Sequence, residues 1–239
     1  MRPTRRGNAT RRAADSPLLA NLLLDDLEQL LESRGHRFCS YADDSNIYVR
    51  SLAAGQRVMD SVTRFLEGKL KLRVNRDKSA VAPVGERKFL GHRLLLNGKL
   101  GISPKSVTRA TEKIKQITRR NRGVSFAQVI VEIMAQELKA HYSFLVGWIR
   151  YYRFAACRGE LQRLDEWIRR KLRCYRLKQC KRGTTIARFL KRLGVSPHHA
   201  QRVASSGKGW WRLSKNPPVH RAMSADWFTK QGLSSLVLK

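Results

Sequence analysis

Positive charge is spread along this 239-residue chain in a way few compact bodies tolerate. Residues 1–100 carry 19 Lys and Arg against 11 Asp and Glu, whereas residues 101–239 carry 30 against 7, and the chain as a whole stands at +31. Self-repulsion of that size destabilises the compact state and draws polyanions to its surface. Mixed charges would solvate a surface equally well, so a nearly one-signed set points first to nucleic acid and only distantly to an anionic membrane surface. Hydrophobic residues still make up 42% of the chain, enough for packed cores, which excludes a wholly disordered basic tail. No apolar run approaches the ~18 residues that a membrane-spanning helix needs.

The N-terminal stretch MRPTRRGNATRRAAD is Arg-rich and lacks the apolar core of a secretory signal, although an organelle transit peptide has such a composition. Residues 1–15 therefore read as a basic, disordered segment. Cys39, Cys157, Cys174 and Cys180 are too few and too scattered for a disulfide framework and read as reduced thiols. Ser16-Pro17 caps and opens a helix, LLANLLLDDLEQLLES, that Gly35 ends. Arg37 to Arg50 follows as a hairpin with its tight turn at Asp43-Asp44. Val58, Val62, Phe65, Leu66 and Leu70 recur at helical spacing over Ala53–Leu70. Short strands are expected at Leu72–Asn75, Ala80–Pro83 and Lys88–Leu96, with Asn97-Gly98 as a turn. That order predicts an α+β layer with an antiparallel sheet over 16–100.

The texture changes near Leu100–Ser103. Ser103-Pro104 starts a basic helix to about Arg120, Arg122-Gly123 breaks it, and Ser125 caps a helix from Phe126 to about His141. Tyr142–Phe154 is aromatic-rich, and Trp148, Tyr151, Tyr152 and Phe154 read as core packing before they read as a base-stacking platform. Glu160–Lys181 is a long amphipathic helix with Leu161, Leu164, Ile168 and Leu172 inward. Its Arg169, Arg170, Lys171, Arg173, Arg176 and Lys178, with Lys181 and Arg182, form a basic stripe suited to RNA backbone contact. A short helix is expected at Thr185–Leu193, and the tail from Ser205 is expected to be mostly irregular. Cys174 and Cys180 with His198-His199 have poor spacing for a zinc set.

Tyr41-Ala42-Asp43-Asp44 is the sharpest chemical signal. Asp is common in turns, so ordinary hairpin chemistry is one reading of it. The other is a divalent-metal site: adjacent carboxylates repel, Mg²⁺ relieves the repulsion, and two such ions can align an incoming phosphate for phosphoryl transfer.

RFCSYADDSNIYVRS resembles the catalytic hairpin of reverse transcriptases in the form found in bacterial group II intron proteins. SPLLANLLLDDL is similar to the preceding helix of that family, LRVNRDKS to its next block and KFLGHRL to the primer-grip strand. GWIRYYRF and LDEWIRRKLRCYRLKQCKR resemble its maturase domain, and GWWRLSKNPPVHRAMSADWF the end of the same proteins. The resemblance runs in order from about Ser16 to Leu236. It implies a partial reverse-transcriptase palm, an antiparallel sheet with helices, over 16–100. A mostly α-helical thumb and maturase-specific domain would span 101–184, and a basic helix and tail 185–239.

The resemblance also implies roles. Asp43 and Asp44 would hold Mg²⁺, Ala42 would lie near the new base pair, and Tyr41 would belong with it to the nucleotide- and primer-binding residues. Asn75 and Lys78 would approach the nucleotide triphosphate, although Lys78 by itself is one surface lysine among many. Phe89, Leu90 and Gly91 would grip the primer, a role compatible with a core strand and a Gly bulge. Arg150 joins the basic helix as an RNA contact. The family's fingers and the palm strand bearing a third Asp precede the helix at Ser16, so a truncated chain is expected, with a missing N-terminal half as a possible partner. Group II intron RNA is the implied partner, with DNA target or primer beside it, in the bacterial cytoplasm. RNA-directed DNA synthesis is the implied family activity, and RNA binding that promotes splicing is the part expected to persist here. The alternative is a catalytically inactive, generic basic RNA-binding protein.

Overall fold

The computed structural model describes residues 21–134 and 144–236. The chain divides between Gly98 and Lys99 into two compact units. The basic segment at 1–15 and the helix start at Ser16-Pro17 lie outside the described residues.

In the first unit a helix, α1 (21–33), ends where Gly35 takes φ +69° and its N–H bonds back to the Glu32 carbonyl at 2.8 Å. Strands β1 (Arg37–Tyr41) and β2 (Asp44–Tyr48) pair antiparallel, with Phe38 opposite Ile47 and Tyr41 opposite Asp44. The two-residue turn is therefore Ala42-Asp43, one position earlier than expected, and Asp44 is the first residue of β2. Helix α2 (Leu52–Gly68) is capped by the Ser51 hydroxyl, which accepts from the Ala54 N–H. Lys71 at φ 57° turns the chain out of it.

The strands expected at Leu72–Asn75 and Ala80–Pro83 do not form. Asn75 uses its side-chain oxygen and its carbonyl to accept from Lys78 and Ser79, so a local turn takes the hydrogen bonds a strand would need. The expected Lys88–Leu96 strand is broken into β3 (Lys88–Phe89) and β4 (His92–Leu94), paired antiparallel. Leu90 and Gly91, at φ 49° and 77°, make the primed-type turn between them. Leu27 and Leu31 are the only buried hydrophobic side chains among the described residues of this unit. The reason is architectural: small sheets of short strands have little face to cover.

The second unit opens with β5 (Leu100–Ile102) and α3 (Pro104–Ile117), whose Ser103 cap accepts from Ser106 with Pro104 in the first turn. Arg122 closes the following loop by pairing both guanidinium nitrogens with Glu132 at 2.7 and 3.0 Å. Glu132 lies on α4 (Phe126–Met134), which Ser125 caps. The continuation of that helix towards His141 lies outside the described residues. Helices α5 (Phe144–Tyr151), α6 (Arg158–Gln179), α7 (Gly183–Arg192) and α8 (Pro197–Ala204) follow. The tail is not irregular: α9 (Trp210–Leu213), α10 (Pro217–Ala222) and α11 (Ala225–Lys230) fold it. Each is only one or two turns long, too short to show a helical period, yet Leu213, Val219, Met223 and Phe228 are all buried.

Helix α6 is the centre of this unit. Of the expected inward stripe Leu164, Ile168 and Leu172 are buried and Leu161 partly so; Tyr175 extends it, and a second stripe, of Asp165, Arg173 and Leu177, is buried beside it. An interface helix would leave that second stripe in water; here the tail packs over it. Among the described residues no helix is long and apolar enough to cross a membrane.

Candidate catalytic hairpin and nucleic-acid interface

At the tip of the first hairpin, Ala42 sits at φ 51°, a left-handed conformation that favours a small side chain. Asp43 follows in the turn, and Asp44 sits at the start of β2 opposite Tyr41. Both carboxylates and Tyr41 are exposed. Their hard oxygens suit Mg²⁺, which is commonly bound by one or two carboxylates completed by water and substrate phosphates. A pair of ions for in-line displacement needs more donors. Among the described residues no third His, Cys, Asp or Glu joins them into a metal-holding group. The donor set therefore fits one ion in company with phosphates and does not fit two.

The other palm residues are placed on separate elements. Asn75 and Lys78 share the turn described above, where the Lys78 carbonyl also accepts from Arg87 at 2.9 Å. An open cleft of about 660 Å³ beside them is lined by Glu67, Arg73, Asn75, Arg76 and Asp77. Asp43 and Asp44 are not among its lining residues. Phe89 ends β3, but Leu90 and Gly91 lie in a turn, and Leu90 is exposed, so these three residues do not form a continuous core strand.

The basic stripe of α6 needs a larger correction. Arg173 is buried, and its Nε donates to the Met223 carbonyl at 3.0 Å while the guanidinium lies over Phe228. Burial and, secondarily, the neighbouring Arg169 bring its pKa down to about 10. Arg169 is paired with Asp165, itself buried. Arg170 stacks on Trp211 with 3.8 Å from guanidinium to ring centre, and Arg176 lies over Phe189 at 4.7 Å. Lys178, Lys181 and Arg182 are exposed, at and just beyond the C-terminal end of α6, where cations complement the helix dipole. Arg150 is exposed on α5.

The aromatic segment divides. Trp148 and Tyr152 pack into the core, whereas Tyr151 and Phe154 are exposed. Cys157, Cys174 and Cys180 are buried, and burial raises each thiol's pKa. His198 and His199 stand exposed with their rings 5.5 Å apart, in no metal-holding group among the described residues.

Sequence reasoning passed over two signals. Between Glu166 and Asp226 the chain has no carboxylate at all, yet carries sixteen Lys and Arg. Exposed cations on α3, α7 and the turn after α3, namely Lys115, Arg119, Arg120, Arg188, Lys191 and Arg192, add to the same surface charge. A scan for acidic gaps, in place of a search for basic clusters, finds the first directly.

Two family profiles match the chain. Residues 13–94 match "Reverse transcriptase (RNA-dependent DNA polymerase)" and residues 107–194 match "Group II intron, maturase-specific domain". The YADD hairpin and the β3–β4 turn fall within the first match, and α4 to α7 within the second; α8 to α11 lie beyond both. No curated protein matches the chain.

Proposed function

Because the chain belongs to the group II intron reverse transcriptase/maturase family, we propose that it works as a maturase-type RNA-binding protein, gripping folded group II intron RNA while the RNA performs the splicing chemistry. The observation that carries this reading is the acid-free span between Glu166 and Asp226, with its exposed cations at the end of α6 and on α7. RNA neutralises such a surface and releases counterions as it does so. Extension of a primer along an RNA template is the second activity of the family. For this chain it is the weaker reading, since Asp43 and Asp44 have no third donor among the described residues. Asp43 and Asp44 would hold Mg²⁺, and the ion would offset phosphate charge at the hairpin tip.

The test is filter binding of the full chain to an intron transcript across a salt series. Replacing Lys178, Lys181 and Arg182 with Gln removes three exposed charges and flattens the log–log salt slope by roughly 0.7–0.9 for each phosphate no longer neutralised. Asp43→Ala leaves the binding curve unchanged. If the parent chain fails to bind, or the triple variant keeps the parental slope, this reading is wrong.

A further inference from the structure

A cluster of four cations gathers where the C-terminal part of α3, the middle of α6 and the short helix α9 meet. Lys115 and Arg120 come from α3 and the turn after it, Arg170 and Lys171 from α6. Arg120 reaches across to α6 and donates from Nη1 to the Cys174 sulfur at 3.9 Å. Trp211, on α9, lies against both α6 cations: the Arg170 guanidinium is 3.8 Å and the Lys171 Nζ 4.9 Å from its ring centre. Trp167 presents a second ring to Lys171 at 5.4 Å. Arg170 is held further by donating from Nη2 to the Trp211 carbonyl at 3.3 Å, while its Nε is buried with no hydrogen-bond partner.

Collecting four like charges, and half-burying the two on α6, costs folding free energy unless something of opposite sign compensates. The Lys171 pKa is lowered by burial, and no carboxylate opposes that: only the Cys174 sulfur acts the other way, before Lys115, Arg120 and Arg170 lower it further. Indole faces attract cations, but an indole cannot neutralise four charges. A phosphodiester offsets part of that charge: it brings one negative charge and accepting oxygens that an ammonium and a guanidinium meet with charge-assisted hydrogen bonds.

We propose that Lys115, Arg120, Arg170 and Lys171, held in place by Trp211, form a binding site for a backbone phosphate of RNA. This rests on the RNA-binding reading above but concerns the middle of α6 in place of its exposed C-terminal end. Trp211 lies outside both matched family spans, so the tail contributes a part of this site that neither match covers.

Two measurements on the full chain test it. In the first, Lys171 of the unaltered protein is acetylated with an N-hydroxysuccinimide ester, alone, with a short oligouridylate, or with inorganic tripolyphosphate. Mass spectrometry is expected to show several-fold protection of Lys171 by the oligouridylate. Equal labelling with and without RNA overturns the proposal, as does protection by tripolyphosphate only. In the second, the Arg120→Gln/Lys171→Met double variant is compared with Arg120→Lys/Lys171→Arg by filter binding. The neutral pair is expected to lower the salt slope by roughly 0.7–0.9, the value for the one phosphate no longer neutralised, and the charge-preserving pair to restore it. If the parent binds RNA and the neutral pair keeps the parental slope, this site is wrong while the RNA-binding reading stands. If the parent does not bind, both fall.

Discussion

Arg173→Met separates a structural arginine from an RNA contact. In the folded chain burial brings the Arg173 pKa well below the usual arginine range, to about 10, so the charged form is destabilised on folding by about 3 kcal/mol at neutral pH. Against that stand the hydrogen bond to the Met223 carbonyl and the contact with Phe228. A charge-assisted hydrogen bond contributes about 1.5–3 kcal/mol, and the ring contact adds about 0.5 kcal/mol or more. Methionine keeps the aliphatic packing and a sulfur for Phe228. The terms nearly cancel, so urea unfolding at pH 7 should find the Arg173→Met variant within about 1 kcal/mol of the parent, in keeping with the small cost of replacing buried ions by apolar side chains.

The pH dependence gives the sign independently. Above pH 10 the folded arginine releases its proton while the unfolded one still holds it, so the parent gains stability as pH rises through that window. The difference between variant and parent should therefore move in favour of arginine above pH 10, by up to about 1.4 kcal/mol per pH unit. Common lysine titrations cancel in that difference. RNA affinity and salt slope should not change. A loss of more than about 2 kcal/mol at pH 7, or a flattened salt slope, would refute the reasoning.

Arg169→Met should behave in the opposite way, because it strands the buried Asp165 carboxylate: denaturation should show a loss of about 3–5 kcal/mol, largely recovered when Asp165→Leu is added. Gly183→Ala should destabilise by about 1–3 kcal/mol, since a Cβ there would meet the Ala204 carbonyl oxygen of α8 at 2.8 Å. Gly159→Ala, in the first turn of α6 with open space around it, should instead stabilise by about 0.5–1 kcal/mol in urea unfolding. Primer extension on an RNA template with Mg²⁺ should stay at background for the chain, and Asp43→Ala should not alter it; extension that Asp43→Ala abolishes would show that the carboxylate pair suffices.

Where local chemistry decides an element, the sequence was enough. Ser103 and Ser125 each accept from a helical N–H as caps do, and Gly35 takes the positive φ that ends α1. The hairpin around YADD follows from alternation and turn residues, and only its turn is displaced by one position. What could not be read was decided by packing or by a competing local turn. The segments 72–75 and 80–83 carry strand-like composition, but Asn75 spends its oxygens on its own turn. The tail looked irregular because Leu213, Val219, Met223 and Phe228 are spread along three short helices, and their burial depends on a partner helix tens of residues earlier in the chain. The candidate hairpin was thus legible almost whole, and the candidate interface only at its C-terminal edge.

The tail also explains why one helix can look like an RNA-binding stripe and serve as a core. A 22-residue helix with arginines at 169, 170, 173 and 176 has more cationic surface than one polar face can keep in water once helices pack on both sides. Arginine tolerates that better than lysine, because its guanidinium stacks on rings and is weakly hydrated. The structure uses both properties: Arg170 on Trp211, Arg173 against Phe228 and Arg176 on Phe189 anchor the C-terminal helices and α7 to α6. The lysines stay at the margins, with Lys178 and Lys181 exposed and Lys171 half-buried among other cations. Arginine on this helix thus marks where the fold is joined to itself, and it is around the lysines that uncompensated charge remains for a polyanion to meet.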